Sequence, residues 1–187
     1  MMKICFFGPS GSGKSSATKF LKEDFERRGL TTEVLKLAEP LYKVQKLLYT
    51  ESGITIKKYN QNQKLLEGIA TSMRDINPRS IIDNFMLRLK KVNSDVVIND
   101  DLRDFEIDMP VLKQNGFILI RIWASGEVIQ SRLSLRNDLY TKENSELDKV
   151  IERIEPDFVL KNDCQDMQVL KSKISKMVEE IFFTKGE

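Results

Sequence analysis

The chain has 187 residues, 41% hydrophobic and 31% charged, with 30 basic and 28 acidic residues and a net charge of +2. That length holds one α/β domain with a substantial core, and balanced charge without a basic tail or stripe speaks against nucleic acid as a partner. There is no apolar run near the ~20 residues of a membrane helix, and no histidine at all, which excludes His-based general-base chemistry and Ser-His-Asp triads.

Lys3–Phe7 is a short apolar run and reads as a first strand. As a leader it is too short for a signal peptide. It feeds directly into Gly8-Pro9-Ser10-Gly11-Ser12-Gly13-Lys14-Ser15, which fits the phosphate-loop pattern G-x-x-x-x-G-K-[ST] at every fixed position. The glycines let the backbone turn tightly and aim N–H groups inward, and the next helix N-terminus adds partial positive charge. Gly8, Ser10, Gly11, Ser12, Gly13, Lys14, Ser15 and Ser16 are therefore the expected contacts to a nucleoside triphosphate. Lys14 reaches the outer phosphates and the Ser15 hydroxyl holds a magnesium ion. A helix over Gly13–Arg28 follows, with Ala17, Phe20, Leu21 and Phe25 at helical spacing and Gly29 at its C-cap.

Glu33–Leu37 reads as the second strand, and Pro40–Tyr49 as a helix with Pro40 at its first position. Ser52–Asn62 is polar and reads as a plain surface loop. In the helix Asn60–Asp75, the apolar Leu65, Leu66, Ile69 and Met73 read as packing, and Arg74 closes the last turn, where a cation suits the helix dipole. Tyr42 and Tyr59 can stack on a base. Pro78–Lys91 reads as another helix, with Pro78 at its start.

The third strand, Asp95–Asn99, is followed by Asn99-Asp100-Asp101-Leu102-Arg103. An apolar strand ending in Asp is the usual partner of a phosphate loop, where the carboxylate serves the magnesium shell. Asp100 and Asp101 are both candidates. No Glu follows them to activate water, which favours transfer to a bound acceptor over hydrolysis. Arg103 lies on the same edge, where a guanidinium can bind phosphate bidentately. Asp104 can cap the helix Asp104–Asn115, and Gly116 can end it.

The fourth strand, Phe117–Ile122, leads past Trp123, read as core or hinge packing, to a helix over Glu127–Arg136. Arg132 and Arg136 share one face of it. The charged, Asn-rich stretch Leu139–Glu146 reads as a flap that can deliver these arginines to a migrating phosphoryl group. Phe158–Leu160 is the fifth strand and Met167–Phe183 the last helix. The two cysteines, Cys5 and Cys164, lie in or beside strands and read as buried reduced thiols of a cytoplasmic protein. Alternation of strand and helix implies a parallel sheet with helices on both faces, and ligands beyond the strand C-terminal ends.

The order of phosphate loop, Leu37-Ala38-Glu39-Pro40-Leu41, Leu65-Leu66 with Arg74, Asp-x-Arg and the Arg132/Arg136 pair resembles the P-loop nucleoside monophosphate kinases, most closely the bacteriophage-type deoxynucleoside monophosphate kinases. The resemblance implies five parallel strands in the order 2-3-1-4-5 within one domain spanning 1–187. It implies an acceptor-binding flap about 38–75 and a lid about 132–146, and places Pro40 and Tyr42 with the acceptor. It further implies transfer of the ATP γ-phosphoryl group, with Mg2+, to a (deoxy)nucleoside monophosphate, by a monomer or homodimer. Lys14 and Ser15 then serve the ATP phosphates and magnesium, and Asp101 and Arg103 match the Asp-x-Arg with Arg103 on the acceptor side. Arg74 grips the acceptor phosphate, Arg132 and Arg136 are lid arginines, and Asn162 falls where related kinases pass the adenine. The doubled Asp100-Asp101 leaves the metal assignment open. Two other readings stand beside this one: a P-loop kinase for another small acceptor such as dephospho-coenzyme A, and a non-catalytic nucleotide-binding module.

Overall fold

Every strand of the sheet runs the same way, so each must be left and re-entered through a crossover. The computed structural model describes residues 1–57, 59–135, 151, 153–164 and 166–183. In chain order they form β1 (Met2–Phe7), α1 (Lys14–Arg27), β2 (Thr32–Val34), α2 (Glu39–Glu51), α3 (Gln63–Ile76), α4 (Ser80–Leu89), β3 (Val96–Leu102), α5 (Asp108–Gln114), β4 (Ile118–Trp123), α6 (Gly126–Ser134), β5 (Phe158–Lys161) and α7 (Met167–Val178). A π-helical turn, Glu179–Phe183, continues α7. The five strands pair in parallel in the order β2-β3-β1-β4-β5, as expected.

Strand alternation builds two cores. Ile4, Phe6, Val96, Ile98, Ile120 and Ile122 face α1 and α7, meeting Leu21, Phe25 and Ile174. Cys5, Phe7, Val97, Leu102 and Leu119 face the other way, meeting Leu41, Ile69, Ile82 and Phe85 from α2, α3 and α4. A sheet covered on both faces needs strands that are apolar throughout, which is why these read as continuous hydrophobic runs. Among the described residues no helix is long and apolar enough to cross a membrane.

Several boundaries differ from the sequence expectation. The second strand stops at Val34 rather than Leu37, although the Leu35 amide still donates to the Ile98 carbonyl at 2.9 Å. The third strand runs on to Leu102, so Asp100 and Asp101 lie inside it rather than after it. Pro78 sits ahead of its helix, which starts at Ser80. The helix expected from Asp104 starts at Asp108. Asp104 caps the preceding turn instead, its Oδ1 accepting from the amides of Ile107 at 2.6 Å and Asp108 at 3.2 Å. Trp123 is 37% exposed rather than core, and Cys164 is half-buried; both cysteines are free. Gly29 and Gly116 do end their helices, at φ 81° and 76°. Arg136 and the stretch 139–146 lie outside the described residues.

Candidate active site

The phosphate loop joins β1 to α1 at the C-terminal edge of the sheet, and two of its glycines are dictated by contact. Gly8 has φ 144°, and a Cβ there would meet the Ile122 carbonyl oxygen at 2.4 Å. Gly13 has φ 104°, and a Cβ would meet Asn162 Nδ2 at 2.2 Å. Neither position admits a side chain without strain. α1 begins at Lys14 with no side chain capping it, so the N–H groups of its first turn have no partner within the helix. Lys14 Nζ donates to the carbonyls of Gly8 at 2.7 Å and Pro9 at 2.9 Å. Ser10, Gly11, Gly13, Lys14 and Ser15 line a cavity of about 630 Å³. Gly8, Ser12 and Ser16 do not line it; Ser12 is fully buried, and its hydroxyl has no hydrogen-bond partner among the described residues.

Behind the loop, Asn162 leaves β5 and donates from Nδ2 to the Ser12 carbonyl at 2.7 Å. Arg132, on α6, donates to the carbonyls of Gly11 at 3.4 Å, Ser12 at 3.3 Å, Asn162 at 3.1 Å and Cys164 at 2.8 Å. Neither side chain lines the cavity. The sequence expectation for Arg132 was a lid cation aimed at the migrating group. Its guanidinium instead braces the rear of the phosphate loop.

Between the pairs Cys5–Asn99 and Phe7–Leu102, β3 carries one residue more than β1. The irregularity falls at Asp100 and Asp101, and an extra residue of this kind re-aims side chains at a strand end. The two carboxylates take opposite jobs. Asp100 is buried on the α1 side, where Thr18 Oγ1 donates to its Oδ2 at 3.1 Å and Lys36 forms a short ion pair with Oδ1. Asp101 turns to the other side. Its Oδ1 accepts from the Leu37 amide at 2.8 Å and from Asn99 Nδ2 at 2.7 Å, and its Oδ2 accepts from the Ala38 amide at 3.0 Å. Asp101 thereby fixes the backbone that leads into α2. Burial, then the neighbouring Asp100, push the Asp101 carboxyl above its usual range against the pull of Lys36 and the two amides. Burial works against the Lys36 charge, but Asp100 and Asp101 prevail and hold it above the ordinary lysine range.

The far wall of the cavity comes from α2, α3 and the turns beside β3. Leu41, Tyr42, Leu66 and Ala70 give it an apolar side. Tyr42 and Tyr59 pack edge to face, with centroids 5.3 Å apart. Burial, then Asp101, push the Tyr42 hydroxyl up to about 12. Pro40 lies in the first turn of α2 and does not line the cavity. The end of the 52–62 loop is not a plain surface loop: buried Gln45 donates to the Asn60 carbonyl at 2.7 Å and accepts from the Asn62 amide at 3.0 Å, and Gln61 lines the cavity.

Three guanidinium groups reach this wall. Arg103 lines the cavity and makes no hydrogen bond or ion pair with any described residue. Arg153 also lines it, 5.3 Å from the Phe105 ring. Arg74 lies between two carboxylates, with Nη1 2.9 Å from Asp104 and Nη2 2.8 Å from Asp108.

The donor set fits a polyphosphate with magnesium. Glycines that exclude any Cβ, a lysine and a serine at the helix start form the anion cradle, and the Ser15 hydroxyl with Asp100 or Asp101 supplies oxygen ligands. Among the described residues no three His, Cys, Asp or Glu side chains converge to cage a metal. Magnesium carried on phosphates and water needs only one or two protein oxygens.

No family model matches the chain, and no curated protein matches it. Solved structures do. The shikimate kinase of Acinetobacter baumannii in complex with shikimate matches with a TM-score of 0.59 at 15% identity, over 100% of this chain and 96% of that one. The fold is that of the P-loop kinases. The shikimate kinase of Bacteroides thetaiotaomicron has a TM-score of 0.55 at 13% identity, over 96% of this chain and 98% of that one. The tunicamycin resistance protein of Deinococcus radiodurans has 0.52 at 12%, over 95% and 96%. At these identities the likeness is one of architecture.

Within the P-loop kinase fold, sequence reasoning overlooked Lys36, Thr18, Gln45, Asp108 and Arg153. Lys36 is the last residue but one of the second expected strand, and the rule that ligands gather at strand C-terminal ends pointed to it. Thr18 lies one helical turn after Ser15. Gln45, Asp108 and Arg153 carry no local signal, because their partners are 15, 34 and 48 residues away or come from another element.

Proposed function

We propose that this chain transfers the γ-phosphoryl group of Mg·ATP to a (deoxy)nucleoside monophosphate, acting as a single domain in which α2 and α3 form the acceptor flap and 132–146 the lid. The observation that carries the reading is Arg103, a guanidinium that lines the same cavity as the phosphate loop and has no carboxylate partner among the described residues. An anionic acceptor satisfies it, and the apolar wall of Leu41, Tyr42 and Leu66 suits a base.

Little covalent work falls to such a protein; it must align two substrates, balance oxygen charge and exclude water. Lys14 and the first-turn amides of α1 hold the outer phosphates. Ser15 and Asp100 would hold the magnesium shell, because Asp100, though bonded to Thr18 and Lys36, lies on the α1 side with Ser15, whereas Asp101 turns to the Leu37 and Ala38 amides. Arg103 and Arg153 hold the acceptor's phosphate near the transferred group. Arg132 and Asn162 keep the phosphate loop in shape from behind, and Arg136 adds a cation from the lid. ATP with Mg2+ supplies the transferable phosphoryl group when bound.

A second reading is a kinase for a small carboxylate-bearing alcohol, favoured by the shikimate kinases among the structural neighbours. One experiment separates the two. ADP release is followed with ATP, magnesium and a panel of ribo- and deoxynucleoside monophosphates, beside shikimate and related hydroxy acids. Acceptor-dependent ADP release with a monophosphate supports the first reading. Release with a hydroxy acid alone supports the second, and no heat of binding from Mg·ATP removes both.

A further inference from the structure

Arg74 and Asp108 join the flap to the sheet side of the cleft, and neither is fully satisfied. Arg74 closes α3, Asp108 opens α5, and Asp104 lies in the turn ahead of it. Asp108 Oδ2 accepts from Arg74 Nη2 at 2.8 Å, while its Oδ1 is buried with no hydrogen-bond partner among the described residues. Arg74 Nη1 is 2.9 Å from Asp104 Oδ2 but makes no well-aligned hydrogen bond. Asp108 is only 3% exposed, and all three residues line the cavity. Buried polar atoms are normally paired, so orphans on both partners of one ion pair, in a cavity wall, call for an explanation.

The charge count supplies it. One guanidinium faces two carboxylates, so with both ionised the cluster is net negative. A phosphate dianion brought alongside is repelled by that cluster unless a carboxylate gives up its charge. We propose that Asp108 is a positioning residue for the acceptor: it holds Arg74 until the acceptor's anionic group takes the guanidinium, and the Asp108 carboxylate then receives one proton from solvent. No other bond forms or breaks in this step. The inference rests on the monophosphate reading given above. It also explains how Arg74, tied to two acids, can still serve an anion.

Asp108 is suited to the exchange. Burial pushes its carboxyl up to about 6; Arg74 pulls down, and Asp104 and Asp101 push up. The charged groups that act on it are therefore Arg74 from α3, Asp104 from the turn before α5, and Asp101 from the end of β3. Loss of Arg74 to a ligand removes the one pull downward, and the ligand's own charge adds a push upward. The bound-state value then lies above the free value. Acceptor affinity is greatest below about pH 6 and weakens as pH rises toward the bound-state value, by up to about tenfold per pH unit.

The test is calorimetric titration of the best monophosphate from the assay panel into full-length protein at pH 6, 7 and 8, in buffers of different ionisation heat. Wild type and Asp108→Asn are compared, so the phosphate's own ionisation is common to both. The wild-type Kd should climb about tenfold more than that of the variant between pH 6 and 8, and wild type should take up close to one more proton at pH 7. Asp104→Asn should keep the wild-type slope. Turnover should place the same pH effect in the acceptor KM rather than in the KM for Mg·ATP. The carboxyl carbon shift of Asp108 in isotope-labelled wild type reads the proton without any variant, and should move to the acid form on adding acceptor at pH 7. Equal slopes and proton counts in the two proteins, or an unmoved carboxyl shift, overturn the inference. If no monophosphate binds wild type at all, the monophosphate reading fails. Binding without a proton at Asp108 leaves that reading standing and removes only this step.

Discussion

Asn162 Nδ2 lies 2.7 Å from the Ser12 carbonyl oxygen, so the exit of the last strand is hydrogen-bonded to the phosphate loop. Arg132 adds donors to the same stretch and to the carbonyls of Asn162 and Cys164. The glycine-rich loop after β1 is thus braced by two elements distant in sequence. Its glycines make it easy to deform, and the brace opposes that.

Arg132→Ala should therefore weaken Mg·ATP, raising its Kd about tenfold, because a charged donor is worth about 1.5–3 kcal/mol and several of these bonds are long. Arg132→Lys should recover only part, since one ammonium cannot span four carbonyls on two segments. Calorimetry with Mg·ATP checks this. A variant with normal ATP affinity and slowed transfer would return Arg132 to the lid role expected from its spacing.

Lys14→Ala should lower kcat by about 10²–10³ or more, the scale seen when a preorganised donor to developing charge is removed. Lys14 donates to the loop carbonyls of Gly8 and Pro9, and no strand pairing runs through either bond. Far-UV circular dichroism should match wild type. Near-normal turnover would take Lys14 out of the chemistry.

Arg103→Ala should raise the acceptor KM about 10–100-fold, the loss of a charge-assisted hydrogen bond. The KM for ATP should change less than about twofold. Initial-rate kinetics with each substrate varied separately decide it, and the opposite pattern would exchange the donor and acceptor sides of the cleft.

Stability should carry the Asp108 signature as well. Its folded-state value of about 6 lies above the ordinary 3.8, so the folded protein keeps this proton longer than the unfolded chain. That contribution is complete below about pH 4 and is lost as pH rises through about 6. The size is about 3 kcal/mol, at about 1.4 kcal/mol for each unit. Urea unfolding at pH 4.5 and 6.5 should show the loss in wild type and a smaller one in Asp108→Asn. Identical changes in both proteins would mean that the carboxyl titrates normally.

How much of this was legible in the residues varies by element. The place of the glycine-rich turn between β1 and α1 was legible, because its signal is local: glycines, lysine and serine at fixed offsets; that Gly8, Ser12 and Ser16 would not line the cavity was not. The parallel sheet followed from short apolar runs alternating with helices, while the strand order came only with the resemblance to the nucleoside monophosphate kinases. The end of β3 was misread by three residues, because Asp100 and Asp101 are poor strand formers that tertiary partners retain in the strand, and β2 stops three residues before its expected end. Lys36 and Thr18 satisfy one carboxylate, and the Leu37 and Ala38 amides the other.

By itself the sequence determined that a glycine-rich turn ending in Lys14 and Ser15 follows the first strand of a parallel sheet, since covalent neighbours carry that information. Only the tertiary structure decided what each charged side chain faces. Arg132 turned from the expected lid to the back of the loop, Arg74 went to Asp104 and Asp108, and Arg103 alone of these three was left to the cleft without an ion pair among the described residues. The reason is that a charge finds its partner through space. The carbonyls and carboxylates that claimed these arginines lie on other elements, brought near only when the two faces of the sheet are packed.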